Sequence, residues 1–485
     1  MSSWKSFTKA RIAIPLASCL LFLGVQNWII AQERNSDHPY LLVADGGDKK
    51  NSIMLAQAKR TAVLPQVLYF RAWKLIKDTY YDPKFNDQDW DRWKNKYNGK
   101  LKTPDESHKA IETMLFSLGD PYTRFLDKEA FDEEKSQIEA HLFGVGMQLG
   151  MNKNHKVVVI APIENTPAYR AGVRPGWEIT HVDDKPVNGE SLDQVVKRIR
   201  GEKGTNVKIS FSASGKKKNV DLMRDEIPIR AVANAEILPG NIGYIRLDSF
   251  ISSKANKEMK DALKRVENTD GLILDLRNNP GGLLTNAIEI ANMFLKKGVI
   301  VSVIDSDNYK NSTFSSNAPI NNQPLVVLIN KGSASASEIL SGALHDNGRA
   351  KLVGQKTFGK GLVQAINRLD DGSGINITIA KYLTPNDTDI HKHGIQPDFK
   401  VVLKEKDYEA GKGPWWIDLN YKEFDKSPTD GKDVQLNKAI EVIKQEISKD
   451  KSKSNETADA SSVIKKDSET SKASSETESN KEDSD

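Results

Sequence analysis

The sequence predicts an α/β core built on a largely parallel sheet, with a separate module of short strands set before it and a small helical segment before that. Three observations predict this. After Ile227 strand patterns and helix patterns alternate; between His141 and Arg224 short alternating strands dominate; before Leu118 apolar residues recur at helical spacing.

Taken from the start of the chain, Lys5, Lys9 and Arg11 precede an apolar run from Ile12 to Ile30, broken only by Pro15, Ser18, Gly24, Gln26 and Asn27. Positive charge followed by such a run reads as an export signal over residues 1–31, cut after Ala31 or retained as a signal anchor. The run approaches the ~20 residues that span a bilayer, so membrane association through this segment is open. Leu16-Ala17-Ser18-Cys19 has the look of a lipoprotein cleavage box, but the run continues beyond Cys19, which argues against cutting there. Cys19 is the single cysteine, and this excludes an intramolecular disulfide and a multi-thiolate zinc site.

Residues 32–61 are polar and aperiodic and read as a linker. In the helical segment, 62–140, Val67, Phe70, Ala72, Trp73, Ile76 and Tyr80 fall at helical spacing, and a second helix is expected over Glu106 to Leu118. Trp73, Trp90 and Trp93 read as packing anchors rather than a ligand cage. The strand-rich module, 141–225, contains Val157 to Ala161, Val207 to Phe211 and one helix over Leu192 to Ile199. The core, 226–400, alternates Ile242 to Leu247, Lys254 to Glu267, Gly271 to Leu276, Leu284 to Phe294, Leu325 to Ile329 and Ser337 to Asn347. A C-terminal extension, 401–447, is expected to pack on that core. The tail, 448–485, is so rich in Lys, Ser, Glu and Asp that it lacks the apolar surface to offset ordering.

Composition narrows the function. The net charge is only +4, from 70 basic and 66 acidic residues, so no excess charge is available for many phosphate contacts and nucleic acid is excluded as a partner. The hydrophobic share of 38% is low for an enzyme, but the polar residues gather at the two ends and leave the middle able to pack. No cluster of metal ligands and no phosphate-cradling glycine loop stands out, so activity without metal, ATP or other cofactor is expected.

The most informative stretch is the apolar strand Leu325 to Ile329 followed by Asn330-Lys331-Gly332-Ser333-Ala334-Ser335-Ala336-Ser337-Glu338 and a helix pattern. A serine at a strand-to-helix turn sits where free backbone N–H groups and the helix dipole favour negative charge, which is what an oxyanion needs. The plainer reading is that Ser335 caps the helix, since Ser335-Ala336-Ser337-Glu338 fits a capping box.

A hydroxyl needs a base. His345 and Asp346 lie ten and eleven residues on in the same helix, roughly 15 and 16 Å along its axis, so neither reaches Ser335; Asp346 is assigned a structural role. Lys360, in Thr357-Phe358-Gly359-Lys360-Gly361, is the better candidate, though a lysine beside glycines is also an ordinary surface turn. To act as a base its pKa must fall to about 7 or 8. Gln364, four residues later, is within reach of the amine or the hydroxyl if the strand alternates. Asn278-Asn279-Pro280-Gly281-Gly282 reads first as a tight turn. Otherwise an N–H of Gly281 or Gly282, together with that of Ala336, makes a two-donor oxyanion pocket.

From Leu64 to Lys400 the chain resembles the C-terminal processing peptidases, or tail-specific proteases. The motifs that carry this are Gly119-Asp120-Pro121-Tyr122-Thr123-Arg124-Phe125-Leu126, Gly144-Val145-Gly146, Asp275-Leu276-Arg277-Asn278-Asn279-Pro280-Gly281-Gly282, Ser333-Ala334-Ser335-Ala336-Ser337-Glu338 and Thr357-Phe358-Gly359-Lys360-Gly361. The resemblance implies a ClpP/crotonase-like layered catalytic core, Ser335 as nucleophile rather than Ser333 or Ser337, Lys360 as base, Gln364 in support and Asp346 near the site. It implies that the 141–225 module is an inserted PDZ domain. Its Leu142-Phe143-Gly144-Val145-Gly146-Met147 segment would take the terminal carboxylate of a protein substrate, and Arg200 would link the module to the catalytic side.

Two departures stand out: Trp177 where such modules carry aspartate, and Asn386-Asp387 after Thr384-Pro385, where the family has glycine. Phe85-Asn86 and Asp89-Trp90 resemble the cyanobacterial and chloroplast branch, which implies periplasm or thylakoid lumen and leaves room for a regulatory partner or adaptor.

Two readings compete with an endopeptidase. A PDZ-bearing adaptor would bind C-termini without cutting, but has no need of nucleophile, base and glycine turn together. An acyl-CoA enzyme of related core would use Gly281 and Gly282, and coenzyme A binding would reveal it.

Overall fold

In the computed structural model, residues 64–452 are described, apart from 140–141, 153, 164, 175, 214, 228–229, 316–318, 411 and 417–427. The leader, the linker and nearly all of the charged tail therefore lie outside the described residues. Among the described residues no helix is long and apolar enough to cross a membrane.

The core sheet has six strands, in the order Val232–Leu238, Ile242–Leu247, Gly271–Asp275, Leu325–Ile329, Lys351–Gly354 and Phe399–Lys400. Only the first pair is antiparallel; the rest run parallel, as the strand and helix alternation predicts. The three expected helices form as Ala255–Arg265, Leu284–Asn292 and Ala336–Asp346.

Period-two alternation divides the strand side chains between two hydrophobic clusters. Ile245, Leu247, Leu272, Leu274, Leu325, Val327 and Ile329 meet the three helices on one face. Tyr244, Ile273, Val326 and Leu328 meet Leu436, Ala439, Val442 and Ile443 on the other. Those four belong to a helix over residues 434–452, which extends into the first residues of the segment expected to be a solvated tail.

A second sheet, which the alternation did not announce, closes the core. It is antiparallel: Arg124–Leu126, Gly374–Leu383, Val299–Ile304 and Lys310–Phe314 in order, with Leu362–Arg368 also paired to Gly374–Leu383. Its pairing of Arg124 with Asn376, and that of Ser302 with Leu383, join residues far apart in the chain, which local pattern cannot register.

The expected helices of the N-terminal segment run Pro65–Thr79 and Pro104–Phe116. Trp73, Trp90 and Trp93 are buried with them, and the indole N–H groups of Trp73 and Trp90 each donate to the other residue's carbonyl at 3.1 and 3.2 Å. This cluster is not independent of the core, because Leu369, Ile375 and Ile377 complete it.

The strand-rich module has its own cluster, from Val145 to Leu222, around the helix Leu192–Ile199. Its chain enters and leaves through one antiparallel pair, Leu142–Gly144 with Asp225–Ile227. Trp177, one of the departures noted above, packs on Phe211 with ring centroids 5.4 Å apart.

Candidate active site

The strand Leu325–Ile329 delivers the serine turn, and Ser335 begins the helix Ala336–Asp346 with φ 53° and ψ −115°. Positive φ on a non-glycine residue is strained and is held only where the surroundings impose it. Three serines crowd this turn and all are fully buried. The Ser333 hydroxyl donates to Leu276 O at 2.7 Å, and the Ser337 hydroxyl donates to Asn279 O at 2.9 Å. The Ser335 hydroxyl alone makes no hydrogen bond. It therefore does not cap its helix: the Glu338 carboxylate accepts from the Ser335 N–H at 2.9 Å, but the hydroxyl makes no return bond.

Lys360 is fully buried and shares that carboxylate. Glu338 Oε2 accepts from the N–H groups of both Ser335 and Lys360, each at 2.9 Å, while Oε1 accepts from Gly359 N–H at 2.8 Å and the Thr357 hydroxyl at 2.5 Å. The Tyr382 hydroxyl bridges the same two residues, toward Ser335 O at 3.2 Å and Lys360 O at 2.5 Å. One carboxylate and one phenol thus hold the two backbones together. Burial pushes the Glu338 carboxyl up, against the four donors that favour its charge.

Burial pushes the Lys360 amine down to about 7; Arg124 acts in the same direction, while Asp120, Glu134 and Glu338 oppose it. This falls within the range a lysine base requires. Its Nζ lies 4.4 Å from the centre of the Tyr122 ring. Because the Ser335 hydroxyl has no hydrogen-bond partner, amine and hydroxyl are not joined in this conformation.

Gln364 is buried, and its Nε2 donates to the Thr378 hydroxyl at 3.4 Å. A register shift between Val363 and Gln364 interrupts the strand, so period-two alternation by itself does not carry the side chain's direction from Lys360 to Gln364. Thr378 and Thr123 both donate to Asp120 Oδ2, at 2.6 and 2.7 Å, which brings the Gly119-Asp120-Pro121-Tyr122-Thr123 stretch to the site.

Gly281, at φ +100°, leans on the serine turn: a Cβ there would stand 2.7 Å from Ala334 O and 2.9 Å from both Ala336 N and Ser335 Cβ. Its own N–H donates to Asn279 Oδ1 at 2.9 Å, so of the two glycines Gly282 is the one whose amide is not spent in that bond. Ala336 N–H is one of the orphan donors at a helix start. Asp346, eleven residues along the helix, accepts from the backbone N–H of Asn386 at 3.1 Å, which anchors the helix end. His345 faces Asp346 and Asp398, away from the serine.

Sequence reasoning took Glu338 only as a cap and gave Tyr382, Tyr122 and Glu134 no role. Glu134 is 6% exposed, on the helix Lys128–Ile138, with Arg124 3.8 Å away. Burial pushes its carboxyl up to about 9, against Arg124 and Lys360. The same helix reaches the strand-rich module through Glu133, paired with Arg200, and Glu129, 3.2 Å from Lys197. In that module Met147–Met151 is an edge strand of its sheet, and Gly146, at φ +76°, lies so close to Thr166 that a side chain would collide. Leu142, Phe143 and Gly144 are engaged in the entry pair, and Val145, Gly146 and Met147 lead into the edge strand. Among the described residues no group of metal-ligating side chains converges.

Models of known families match three stretches: Peptidase family S41 over residues 241–401, a PDZ domain over 158–211 and a Tricorn protease C1 domain over 65–106. A carboxyl-terminal-processing protease of Synechocystis sp. is 42% identical over 342 residues, covering 69% of this chain and 80% of the relative. Carboxyl-terminal-processing peptidase 2, chloroplastic, of Arabidopsis thaliana is 37% identical, covering 71% and 70%. A carboxy-terminal processing protease of Bacillus subtilis is 39% identical, covering 61% and 64%. Among solved structures, the photosystem II D1 C-terminal processing protease is 33% identical, with a TM-score of 0.49, covering 70% of this chain and 93% of that one. With a relative of this identity matched over four-fifths of its length, the chain belongs to peptidase family S41, in its carboxyl-terminal-processing branch, and is a serine-type peptidase with a PDZ domain.

Proposed function

We propose that this peptidase cuts exported or lumenal proteins near their C-termini, with Ser335 as nucleophile and Lys360 as general base. The observation that carries this reading is the contrast among three buried serines: only the Ser335 hydroxyl is uncommitted, and the same carboxylate that holds its backbone holds that of a lysine whose amine titrates near neutrality.

The neutral amine takes the Oγ proton as the oxygen attacks the scissile carbonyl carbon. The N–H groups of Ala336 and Gly282 receive the resulting oxyanion, with Gly281 letting the turn approach. Collapse breaks the C–N bond, and the ammonium returns its proton to the leaving amine. The acyl-enzyme is then attacked by water, whose proton Lys360 accepts, and the proton passes back to Oγ as the ester breaks. Gln364 orients the amine, and Asp346 fixes the helix end. Because both Ser335 and Lys360 are fully buried, substrate entry requires a rearrangement that also brings hydroxyl and amine together.

The substrate's last residues add as a strand along Met147–Met151, with the carboxylate at the amides of the Leu142 to Met147 segment. Arg200, paired with Glu133, transmits the module's position to the helix that carries Glu134. The leader delivers the protein across a membrane and holds it there if uncut.

Ser335→Ala or Lys360→Ala, each folded, is expected to abolish cleavage of a tail-bearing protein. Undiminished cutting by either would remove the assignment. Mass spectrometry of envelope proteins with and without Ser335 would identify substrates as newly uncut C-termini.

A further inference from the structure

Arg277 lies two residues beyond the strand Gly271–Asp275 and three before the Pro280-Gly281-Gly282 turn that folds against Ser335. It is 1% exposed, yet every N–H of its guanidinium is used. Nε donates to Asp275 at 3.0 and 3.1 Å and Nη2 to the same carboxylate at 2.7 Å. Nη1 and Nη2 also form a fork on Asp433, at 2.9 and 2.8 Å, and Nη1 reaches Gln435 Oε1 at 3.2 Å. The Trp416 ring covers the group at 4.8 Å. Asp275 is held from behind by the Tyr244 hydroxyl at 2.9 Å, which accepts in turn from the Trp415 indole N–H at 3.1 Å.

Asp433 is not part of the catalytic core. It stands at the start of the C-terminal helix, where its Oδ1 also accepts from the N–H groups of Gln435 and Leu436 at 3.1 and 3.0 Å. One carboxylate therefore both caps the extension and grips the arginine that leads, through Asn278 and Asn279, into the glycine turn. A buried ion pair of this kind adds little stability over a well-packed apolar replacement. What a planar fork adds is direction, since two parallel bonds fix position and rotation together.

The turn that follows has no slack to absorb an error at Arg277. Asn278 N–H donates to Asn330 Oδ1 at 2.9 Å, and Asn330 Nδ2 returns a bond to Asn278 Oδ1 at 2.8 Å. Asn279 Nδ2 donates to Leu247 O at 2.7 Å, and Asn279 O accepts from Ala334 N–H and the Ser337 hydroxyl at 3.0 and 2.9 Å. The glycine turn and the serine turn thus share a rigid frame whose outer corner is Arg277.

We propose that Asp433, acting through Arg277, is a positioning residue for the oxyanion turn, so that docking of the C-terminal extension completes the active site. This rests on the assignment of Ser335 as nucleophile. Loosening the fork lets the Gly282 amide drift relative to that of Ala336, and misplacement by about 1 Å costs up to about 100-fold in rate.

The test uses the full chain and a tail-bearing peptide. Asp433→Asn is expected to lower kcat by about 10- to 100-fold with KM within about 2-fold, the signature of an interaction made in the transition state. The midpoint of its pH–rate curve should stay where the parent enzyme has it, because the surroundings of the Lys360 amine are untouched, and Asp433→Glu should recover part of the loss. Glu441→Gln, on the exposed side of the same helix, should match the parent. A folded Asp433→Asn with parental kcat, a shifted midpoint, or a rise in KM alone would overturn the proposal.

If Asp433→Asn does not fold, the triple replacement Asp275→Asn, Arg277→Met and Asp433→Leu removes the charges and the fork together without stranding the Asp275 carboxylate. It must fold and still lose kcat; parental kcat, or failure to fold, counts against a positioning role. Ser335→Ala run alongside separates the two claims. Cutting by that variant defeats the nucleophile assignment, whereas a dead Ser335→Ala beside a fully active Asp433→Asn defeats only this inference.

Discussion

A lysine with no exposed surface costs stability, and the cost depends on pH in a direction that can be worked out. The Lys360 amine titrates near 7 in the folded chain and at 10.5 when free of its surroundings. Between those values the unfolded chain binds the extra proton, so stability rises with pH across that window; below about 7 the full penalty applies. Lys360→Met is therefore expected to stabilise the protein by about 3 to 5 kcal/mol at pH 6 and by progressively less as pH approaches 10, as read by urea unfolding at each pH. The proposed chemistry has the complementary profile: kcat/KM should climb through pH 7 as the amine loses its proton. A flat profile from pH 5 to 9 would contradict the base assignment. Glu134 runs the other way. Its carboxyl, pushed up to about 9, becomes costly as pH rises through the interval between the usual carboxyl value and 9.

At the scale of elements, the helix start at Ala336 is organised around Glu338 rather than around the serine hydroxyl. Glu338→Gln would turn an amide NH2 toward one of two pairs of donors, leaving either Ser335 and Lys360 N–H or Gly359 N–H and the Thr357 hydroxyl without an acceptor. Loss of about 3 kcal/mol in denaturant unfolding is expected, with activity lost as well. The helix Lys128–Ile138 has a different role, since it pairs with the PDZ domain through Glu133 and Glu129 and carries Glu134, whose charge acts on Lys360. Arg200→Ala breaks a partly exposed pair and should change stability by less than about 1 kcal/mol. If the pair carries the module's position to the site, kcat for tail-bearing proteins falls all the same. Unchanged kcat would leave Arg200 as a solvated arginine at a helix end.

Across the whole molecule the hydrophobic clusters decide which parts stand alone. The PDZ domain closes on its own cluster, and its chain ends meet in the pair Leu142–Gly144 with Asp225–Ile227, so residues 141–227 expressed alone should unfold cooperatively by circular dichroism. A molten or unfolded product would refute this. The helical segment lacks that independence, because Ile375 and Ile377 of the second, antiparallel sheet complete its cluster and Arg124–Leu126 pairs with the same strand. Much was legible in advance. Short apolar runs marked the strands Ile242–Leu247 and Leu325–Ile329, and the helix Leu192–Ile199 was legible too, because these are local patterns. The antiparallel second sheet was not legible, since Arg124 meets Asn376 only through the folded chain. The sequence by itself determined the residue types of the site and their order, and through its motifs the family. Only the tertiary structure decided which of three adjacent serines is chemically uncommitted, that Lys360 is dry enough to lose its proton near pH 7, and that Asp433 reaches back to Arg277. Hydrogen-bond satisfaction and desolvation are properties of surroundings, and those surroundings come from segments far apart along the chain.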